Sequence, residues 1–206
     1  MGVVVANSIG YGLPIVVDDG STDATGQVAA AAGAEVVRHA VNQGYDAALE
    51  SGFRRAAQLG LEWVVTLDAD GQHDPTIIPR MLAELEAGAD VVVGVRDVRQ
   101  RFAEHAYAWY GRWRWGLRDP LCGMKGYRLE VYRSHGCFDS CRSIGTELAV
   151  FAVVCAYDVR QIPIVTRERH GVPRFGNLLR GNARILRALA LIAVRAFGFR
   201  RRVSVS

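Results

Sequence analysis

Lysine is all but missing: Lys125 stands alone against 24 arginines. Cysteine is sparse as well, four residues in 206 (Cys122, Cys137, Cys141 and Cys155). That is too few for a disulfide framework, and Cys137-x3-Cys141 lacks the second ligand pair of a zinc site. Reduced thiols in a cytoplasmic protein are therefore expected. No secretory leader is read ahead of the first structured segment. Long apolar runs are absent from the basic tail, where the longest charge-free stretch, Ala188–Val194, is seven residues against the roughly 20 that cross a bilayer. Also absent is a glycine-rich, basic phosphate loop near the N-terminus, which argues against a nucleotidyltransferase. No RNA- or DNA-binding motif occurs, which argues against nucleic acid as a partner.

What is present suffices for one sizeable core. Half of the side chains are apolar, and a chain of this length accommodates one compact domain rather than two with a linker. The net charge of +4 hides an asymmetry: residues 1–95 hold 13 acidic against 4 basic side chains, net −9, whereas residues 96–206 hold 21 basic against 8 acidic, net +13. No acid follows Glu168, yet nine arginines do, which directs the tail toward an anionic partner such as phosphates or lipid headgroups. The chain thus divides into a domain over residues 1–176 and a basic amphipathic helix over 177–206.

Pro14–Val17 is a short apolar run that stops in the polar turn Asp18-Asp19-Gly20-Ser21, the pattern of a strand. Thr22-Asp23 can cap a helix over Ala24–Ala32, which Gly33 ends, and Glu35–Arg38 reads as a second strand. A helix from Asp46 to about Gln58 follows, then a strand at Trp63–Leu67. Asp74 as N-cap, with Pro75 at the first helical position, opens a helix to Ala87, and Ala89–Gly94 is the next strand. Ahead of Pro14, Val3–Asn7 reads as a vestigial strand by β-propensity or, within Gly2–Gly10, as the end of a helix. Continuous apolar strands alternating with helices predict an open α/β sheet, Rossmann-like and mostly parallel, with both faces covered. Such sheets bind ligands at the carboxyl ends of their strands.

That rule gives the carboxylates a location. Asp18-Asp19 and Asp68-Ala69-Asp70 each lie just past a strand. In extended chain, residues i and i+2 point the same way, so Asp68 and Asp70 converge while Ala69 turns aside. Like charges this close repel unless a cation sits among them. Two carboxylates and the amide oxygen of Gln72 make a hard-oxygen site suited to Mg²⁺ or Mn²⁺, which commonly bridge to substrate phosphates. Asp74 reads as a helix cap facing water; for Asp68 and Asp70 the residues alone leave capping and metal binding both open.

The stretches IVVDDGSTDAT (15–25), NQGYDAALESGF (42–53), TLDADGQHDP (66–75), ADVVVGVR (89–96), DPLCGMKGYR (119–128) and RHGVPR (169–174) follow one another in order. Together they resemble the motifs of family 2 glycosyltransferases with the GT-A fold, and within them the polyprenyl-phosphate branch typified by dolichol-phosphate mannose synthase. The resemblance covers roughly residues 14–176. It implies a metal-dependent, inverting enzyme that moves a sugar from a UDP- or GDP-linked donor to a polyprenyl phosphate or related lipid-linked acceptor, at the inner face of the cell membrane. It implies that Asp19 hydrogen-bonds the donor's base, with Val17 and Asp18 beside it. Asp68, Ala69 and Asp70 match the family's DxD, and with Gln72 these carboxylates would hold the metal and the diphosphate. Arg96, Arg128, Arg169 and Arg174 match arginines and a basic residue expected on phosphates; Pro173 stands where a serine is usual. The family opens with a strand ending in a Pro-x-Tyr-Asn-Glu type motif, which has no counterpart here. A second reading follows, a catalytically silent remnant that binds a membrane or a partner through its arginine-rich tail.

The chemistry suits these residue types. Departure of a nucleoside diphosphate leaves negative charge that a metal and guanidinium groups stabilise, arginine being preferable for its planar fork. A lipid phosphate is already ionised near neutral pH, its second pKa being about 6, so it attacks without a general base; a sugar hydroxyl would require one. Asp119 and Glu147 are the candidates for that base. Each reads equally as structural, Asp119 as the start of an Asp-Pro turn and Glu147 as the acid opening the helix that contains Leu148–Ala156.

In the tail, Arg180, Arg184, Arg187, Arg195 and Arg202 fall within an arc of roughly 80° on a helix, opposite Ile185, Leu186, Leu189, Ile192, Ala193 and Phe197. Residues 180–202 can therefore lie in the headgroup plane of an anionic membrane, or pack on the domain with a solvated basic face. Tyr107, Trp109, Tyr110, Trp113 and Trp115, interleaved with Arg112 and Arg114, read as an interfacial belt, a sugar platform or core.

Overall fold

The computed structural model describes residues 2–69, 73–99, 101–166 and 178–203. β1 (Ile15–Asp18) and β2 (Glu35–Arg38) pair in parallel and are joined by α2 (Thr25–Ala31). A second sheet has the order β3 (Trp63–Thr66), β5 (Lys125–Arg128), β4 (Val91–Arg96), β6 (Val159–Ile164). There β5 runs antiparallel to both neighbours, while β4 and β6 are parallel. The strands β3, β4 and β6 therefore point one way and β5 the other. Lys-Gly-Tyr-Arg is too short and too polar to read as a strand, so neither β5 nor its reversed direction was visible in the hydrophobic pattern.

α1 (Gly2–Ser8) makes the segment ahead of β1 a helix, the second of its two readings. No strand joins β1 to β3 among the described residues; α3 (Tyr45–Gln58) links the two sheets instead. Its Gly52 lies close to Val17 of β1, and its Phe53 packs edge-on against Tyr127 of β5, ring centroids 5.4 Å apart. Asp74 caps as expected, its side chain accepting the Thr76 N–H at 3.1 Å. A 3-10 turn, Pro75–Ile77, then leads into α4 (Ile78–Glu86).

The central strand β4 shows how the core is divided. Val91 and Val93 face a layer with Phe53, Tyr127, Phe138 and Leu148, whereas Val92 faces Met81, Leu85, Met124 and Ile162. Alternation with both sides buried is what a covered sheet demands, and each such side chain contributes about 1.5–3 kcal/mol relative to exposure.

α5 (Phe102–Trp115), α6 (Leu129–His135) and α7 (Glu147–Val154) complete the first layer, with α8 (Leu178–Val203) laid across it. Ile185, Ala188, Ile192, Ala196 and Phe199 of α8 belong to the same core as Phe53 and Leu148. The tail thus packs on the domain. Its expected apolar face splits in two: Ile185 and Ile192 are buried, whereas Leu186 and Phe197 remain exposed. The aromatic cluster divides likewise, Tyr107 and Trp115 being core and Trp109 and Trp113 about 70% exposed. No helix among the described residues is long and apolar enough to cross a membrane.

Candidate active site

The acidic end of β1 is held by the turn after it and by the amides just ahead of α3. Asp18, the last residue of β1, is buried, and its Oδ1 accepts the Ser21 N–H at 2.9 Å. Hydrogen bonding from Ser21 holds its carboxyl below the ordinary value, with Arg38 assisting at 3.6 Å. Gly20 between them has φ +74°, and a Cβ there would meet the Asn42 backbone nitrogen at 2.6 Å, so the turn admits only glycine. Asp19 is held from the other side. Its Oδ1 meets His39 Nδ1 at 2.7 Å and accepts the Gln43 N–H at 2.8 Å, and its Oδ2 accepts the Gly44 N–H at 2.8 Å. Burial would raise its pKa, but the Gln43 amide, His39 and the Gly44 amide together lower it. His39 Nε2 in turn contacts Ser51 Oγ at 2.8 Å. An open cleft of about 560 Å³ lies alongside, lined by Gly20, Ser21, Thr22, Arg38, His39 and Ala40.

Asp68 lies two residues past β3, and its carboxylate accepts no hydrogen bond among the described residues. Its backbone N–H is anchored on His73 Nδ1 at 3.0 Å. Gly123 comes so close that a Cβ there would stand 2.6 Å from Asp68 Oδ2. Lys125 opens β5 opposite Thr66, the last residue of β3, and so stands at the same rim. It is buried, and its Nζ donates to the Gly145 carbonyl at 2.9 Å. Burial lowers its pKa, opposed by the charges of Cys122, Asp119 and Asp68. Asp46, at the start of α3, has its pKa raised to about 6 by burial and by nearby Asp139, although Gly145 N–H donates to it at 2.9 Å. The loop that supplies Gly145 carries two non-glycine residues at positive φ, Arg142 at 58° and Ile144 at 60°, a conformation that surrounding contacts must impose. Asp139 imposes it by accepting the Ser143 and Gly145 N–H groups, each at 3.0 Å.

Three expected site residues are engaged by neighbouring side chains. Arg128 closes β5 opposite Trp63, the first residue of β3, so the antiparallel direction puts it at the far end of the sheet from Asp68. There it pairs with Glu62 at 3.2 Å and Asp90 at 3.6 Å. Asp119 is buried and grips Arg96 through two side-chain bonds, Nε to Oδ2 at 2.8 Å and Nη2 to Oδ1 at 2.9 Å. Burial would lower the Arg96 pKa, but Asp119 raises it. Glu147 is fully buried and accepts from Ser140 N–H (2.5 Å), Ser140 Oγ (2.8 Å), Cys141 N–H (3.1 Å), His135 Nε2 (3.0 Å) and Arg195 Nε (3.1 Å). Burial would raise its pKa, but His135, Ser140 and Arg195 hold it well below the carboxylate range. Neither Asp119 nor Glu147 offers an unengaged carboxylate for taking a proton. Asp70, Gln72, Arg169 and Arg174 lie outside the described residues, as does the side chain of Arg202.

Residues 15–145, which include every rim residue just described, match the profile of "Glycosyl transferase family 2". The chain belongs to this family. Among curated relatives of this glycosyltransferase, undecaprenyl-phosphate 4-deoxy-4-formamido-L-arabinose transferase of Pseudomonas fluorescens is 33% identical over 175 residues, 78% of this chain and 50% of that protein. An uncharacterized glycosyltransferase of Mycobacterium bovis is 32% identical over 181 residues, 82% of this chain and 79% of that one. The chain spans about half the length of the arabinose transferases it matches. Glucosyl-3-phosphoglycerate synthase from Mycobacterium tuberculosis, solved with Mn²⁺ and UDP-glucose, superposes with a TM-score of 0.69 at 23% identity over 89% of this chain and 67% of its own. That likeness establishes the GT-A fold.

Sequence reasoning missed Lys125, Asp46 and His39. The first carried a signal, being the sole lysine in an arginine-rich chain. Asp46 carries no signal beyond opening a helix, and His39 carries none.

Proposed function

We propose that this glycosyltransferase moves a sugar from a UDP- or GDP-linked donor onto a polyprenyl phosphate or another lipid-linked acceptor, working as a peripheral protein at the cytoplasmic face of the membrane. The Asp68 carboxylate carries the reading: a hard oxygen donor at the strand rim, without hydrogen-bond donors among the described residues, with space cleared for it by Gly123. That donor chemistry fits Mg²⁺ or Mn²⁺. Asp68, with Asp70 and Gln72, would hold the ion, which offsets charge gathering on the departing diphosphate. Asp19 would receive the base, since among the described residues Oδ2 accepts only the Gly44 N–H and keeps a lone pair for a base N–H. Val17, Asp18 and Ala69 would line the donor site beside them.

Arg96, aligned by Asp119 and Glu104, supplies positive charge at the rim, and Lys125 a buried N–H donor beside it. Arg169 and Arg174 are assigned to the acceptor or donor phosphate, and Arg128 is withdrawn from that assignment because it stands at the opposite end of its strand. Since Asp119 and Glu147 are both committed to other partners, an acceptor that needs no base is favoured. An ionised lipid phosphate is such an acceptor, and its direct attack on the anomeric carbon opposite the diphosphate inverts the configuration. The names of the arabinose transferase and of an undecaprenyl-phosphate mannosyltransferase from Micrococcus luteus, 32% identical over 137 residues, support the acceptor class. The Mn²⁺ and UDP-glucose of the mycobacterial synthase support the donor and ion.

The test is a panel of nucleotide sugars offered with Mn²⁺ and a polyprenyl phosphate to the wild type and Asp68→Asn. Turnover should fall about 10²–10³-fold in the variant, the scale of losing one electrostatic stabiliser of the departing group; equal turnover refutes the reading. The absence of pairing between β1 and β3 among the described residues favours the second reading, a silent remnant. A melt that UDP or GDP leaves unshifted in Mn²⁺ would select it.

A further inference from the structure

We infer that the chain rests on an anionic lipid surface through a face built jointly by α5 and α8, with Trp109 and Trp113 inserted among the lipids. The inference deepens the lipid-linked reading above and rests on it for the choice of lipid over protein as the partner. It differs from a membrane-bound tail because the tail's main apolar stripe is already buried in the domain.

What remains outside is unusual for a soluble domain. On α5, Phe102, Trp109 and Trp113 are 78%, 70% and 71% exposed and fall within an arc of about 40°. The two indoles stack, centroids 6.3 Å apart and 9° from parallel. On α8, Leu179, Leu186, Val194 and Phe197 are all exposed and share an arc of about 80° turned away from the buried stripe. The two helices meet at the edge of these faces: within α5 Trp113 touches Tyr110, ring centroids 5.8 Å apart, and the guanidinium of the adjacent Arg114 lies 5.8 Å from the Phe197 ring of α8.

The charge bordering this face has one sign. Exposed Arg112, Arg180 and Arg187 flank it, and α8 contains no acidic residue. A contiguous apolar patch signals a partner; tryptophans at an apolar edge with arginines beside them match the boundary of a bilayer bearing anionic headgroups. Both helices also approach the rim in their N-terminal halves. Glu104 of α5 lies 3.6 Å from Arg96, and the Arg184 charge acts on Asp46. A face running from that rim would set Arg96 and Asp68 beside the headgroup layer, within reach of a phosphate carried on a lipid.

Vesicles of phosphatidylcholine with and without phosphatidylglycerol, neither containing a polyprenyl phosphate, test this with the full chain. With phosphatidylglycerol, tryptophan emission should shift to the blue and be quenched by brominated lipid, a measurement that needs no variant. Trp109→Ala/Trp113→Ala should weaken sedimentation with these vesicles at least about tenfold, and Arg180→Gln/Arg187→Gln roughly tenfold at low salt. Unquenched emission, or unchanged sedimentation of the tryptophan variant, overturns the inference. So does a dimer in solution that the tryptophan substitutions dissociate, since a second copy would then cover the face. A Mn²⁺- and UDP-dependent thermal shift, recorded on the same samples, keeps the two proposals apart. Nucleotide binding without lipid insertion sinks this inference alone, and insertion without nucleotide binding sinks the glycosyl-transfer reading.

Discussion

Asp68 and Glu147 are both carboxylates at the turn between one element and the next, and the fold treats them in opposite ways. Around Glu147, residues from α6, the loop before α7 and α8 converge to donate hydrogen bonds, and no part of it reaches solvent. Around Asp68 the neighbours are a backbone held off by Gly123 and His73, whose Nδ1 accepts the Asp68 main-chain N–H and lies 4.0 Å from its Oδ2. A buried charge survives only when its lone pairs are filled from within, so Glu147 is spent on clamping α8 to the domain. A half-buried charge that accepts no hydrogen bond among the described residues keeps its affinity for an incoming cation. Position in the fold thus separates holding from binding where residue type does not.

Breaking the holding side gives the largest effect. Glu147→Ala leaves His135 and Arg195 without their common partner and should cost about 3–5 kcal/mol of stability, read by denaturant unfolding. The same contacts depress the Glu147 pKa. Their stabilisation is therefore complete above the unfolded value of about 4.3 and is lost as pH falls through the depressed folded value. Next comes the binding side, where Asp68→Asn should abolish most turnover yet move stability by no more than about 0.5 kcal/mol. A large loss of stability there would erase the contrast.

Asp46 sharpens the comparison, being half-buried like Asp68 yet hydrogen-bonded by the Gly145 N–H. Because its folded pKa is about 6 against 3.8 in the unfolded chain, it takes up protons on folding, and its contribution to stability declines as pH rises from about 4 to about 6. In Asp46→Asn that decline should vanish from the pH profile of the melting temperature. The smallest effect is expected at Arg128→Gln, whose partners Glu62 and Asp90 lie at the outer end of the sheet. Turnover should be unchanged and stability lowered by no more than about 1 kcal/mol.

Much of the rim was legible because it depends on local pattern. A strand's end is visible in an apolar run followed by Asp-Asp-Gly-Ser, and the apolar run Trp63–Leu67 puts Asp68 just past its strand. Pairing partners are not local. Whether β5 runs up or down decides which of Lys125 and Arg128 reaches the rim, and nothing within Lys-Gly-Tyr-Arg encodes that direction. The bond between Arg96 and Asp119 likewise joins residues 23 apart in sequence, so each looked available when read separately. For α8 the periodicity was correct, but a helix with apolar residues on two sides cannot declare which side the domain will cover.

The most direct test of the account is Mn²⁺ titration by electron paramagnetic resonance, with and without UDP or GDP, on the wild type and Asp68→Asn. The account predicts that nucleotide tightens Mn²⁺ binding in the wild type and that the variant loses this tightening by tenfold or more, at the same melting temperature. Equal Mn²⁺ affinity in the two proteins would contradict it.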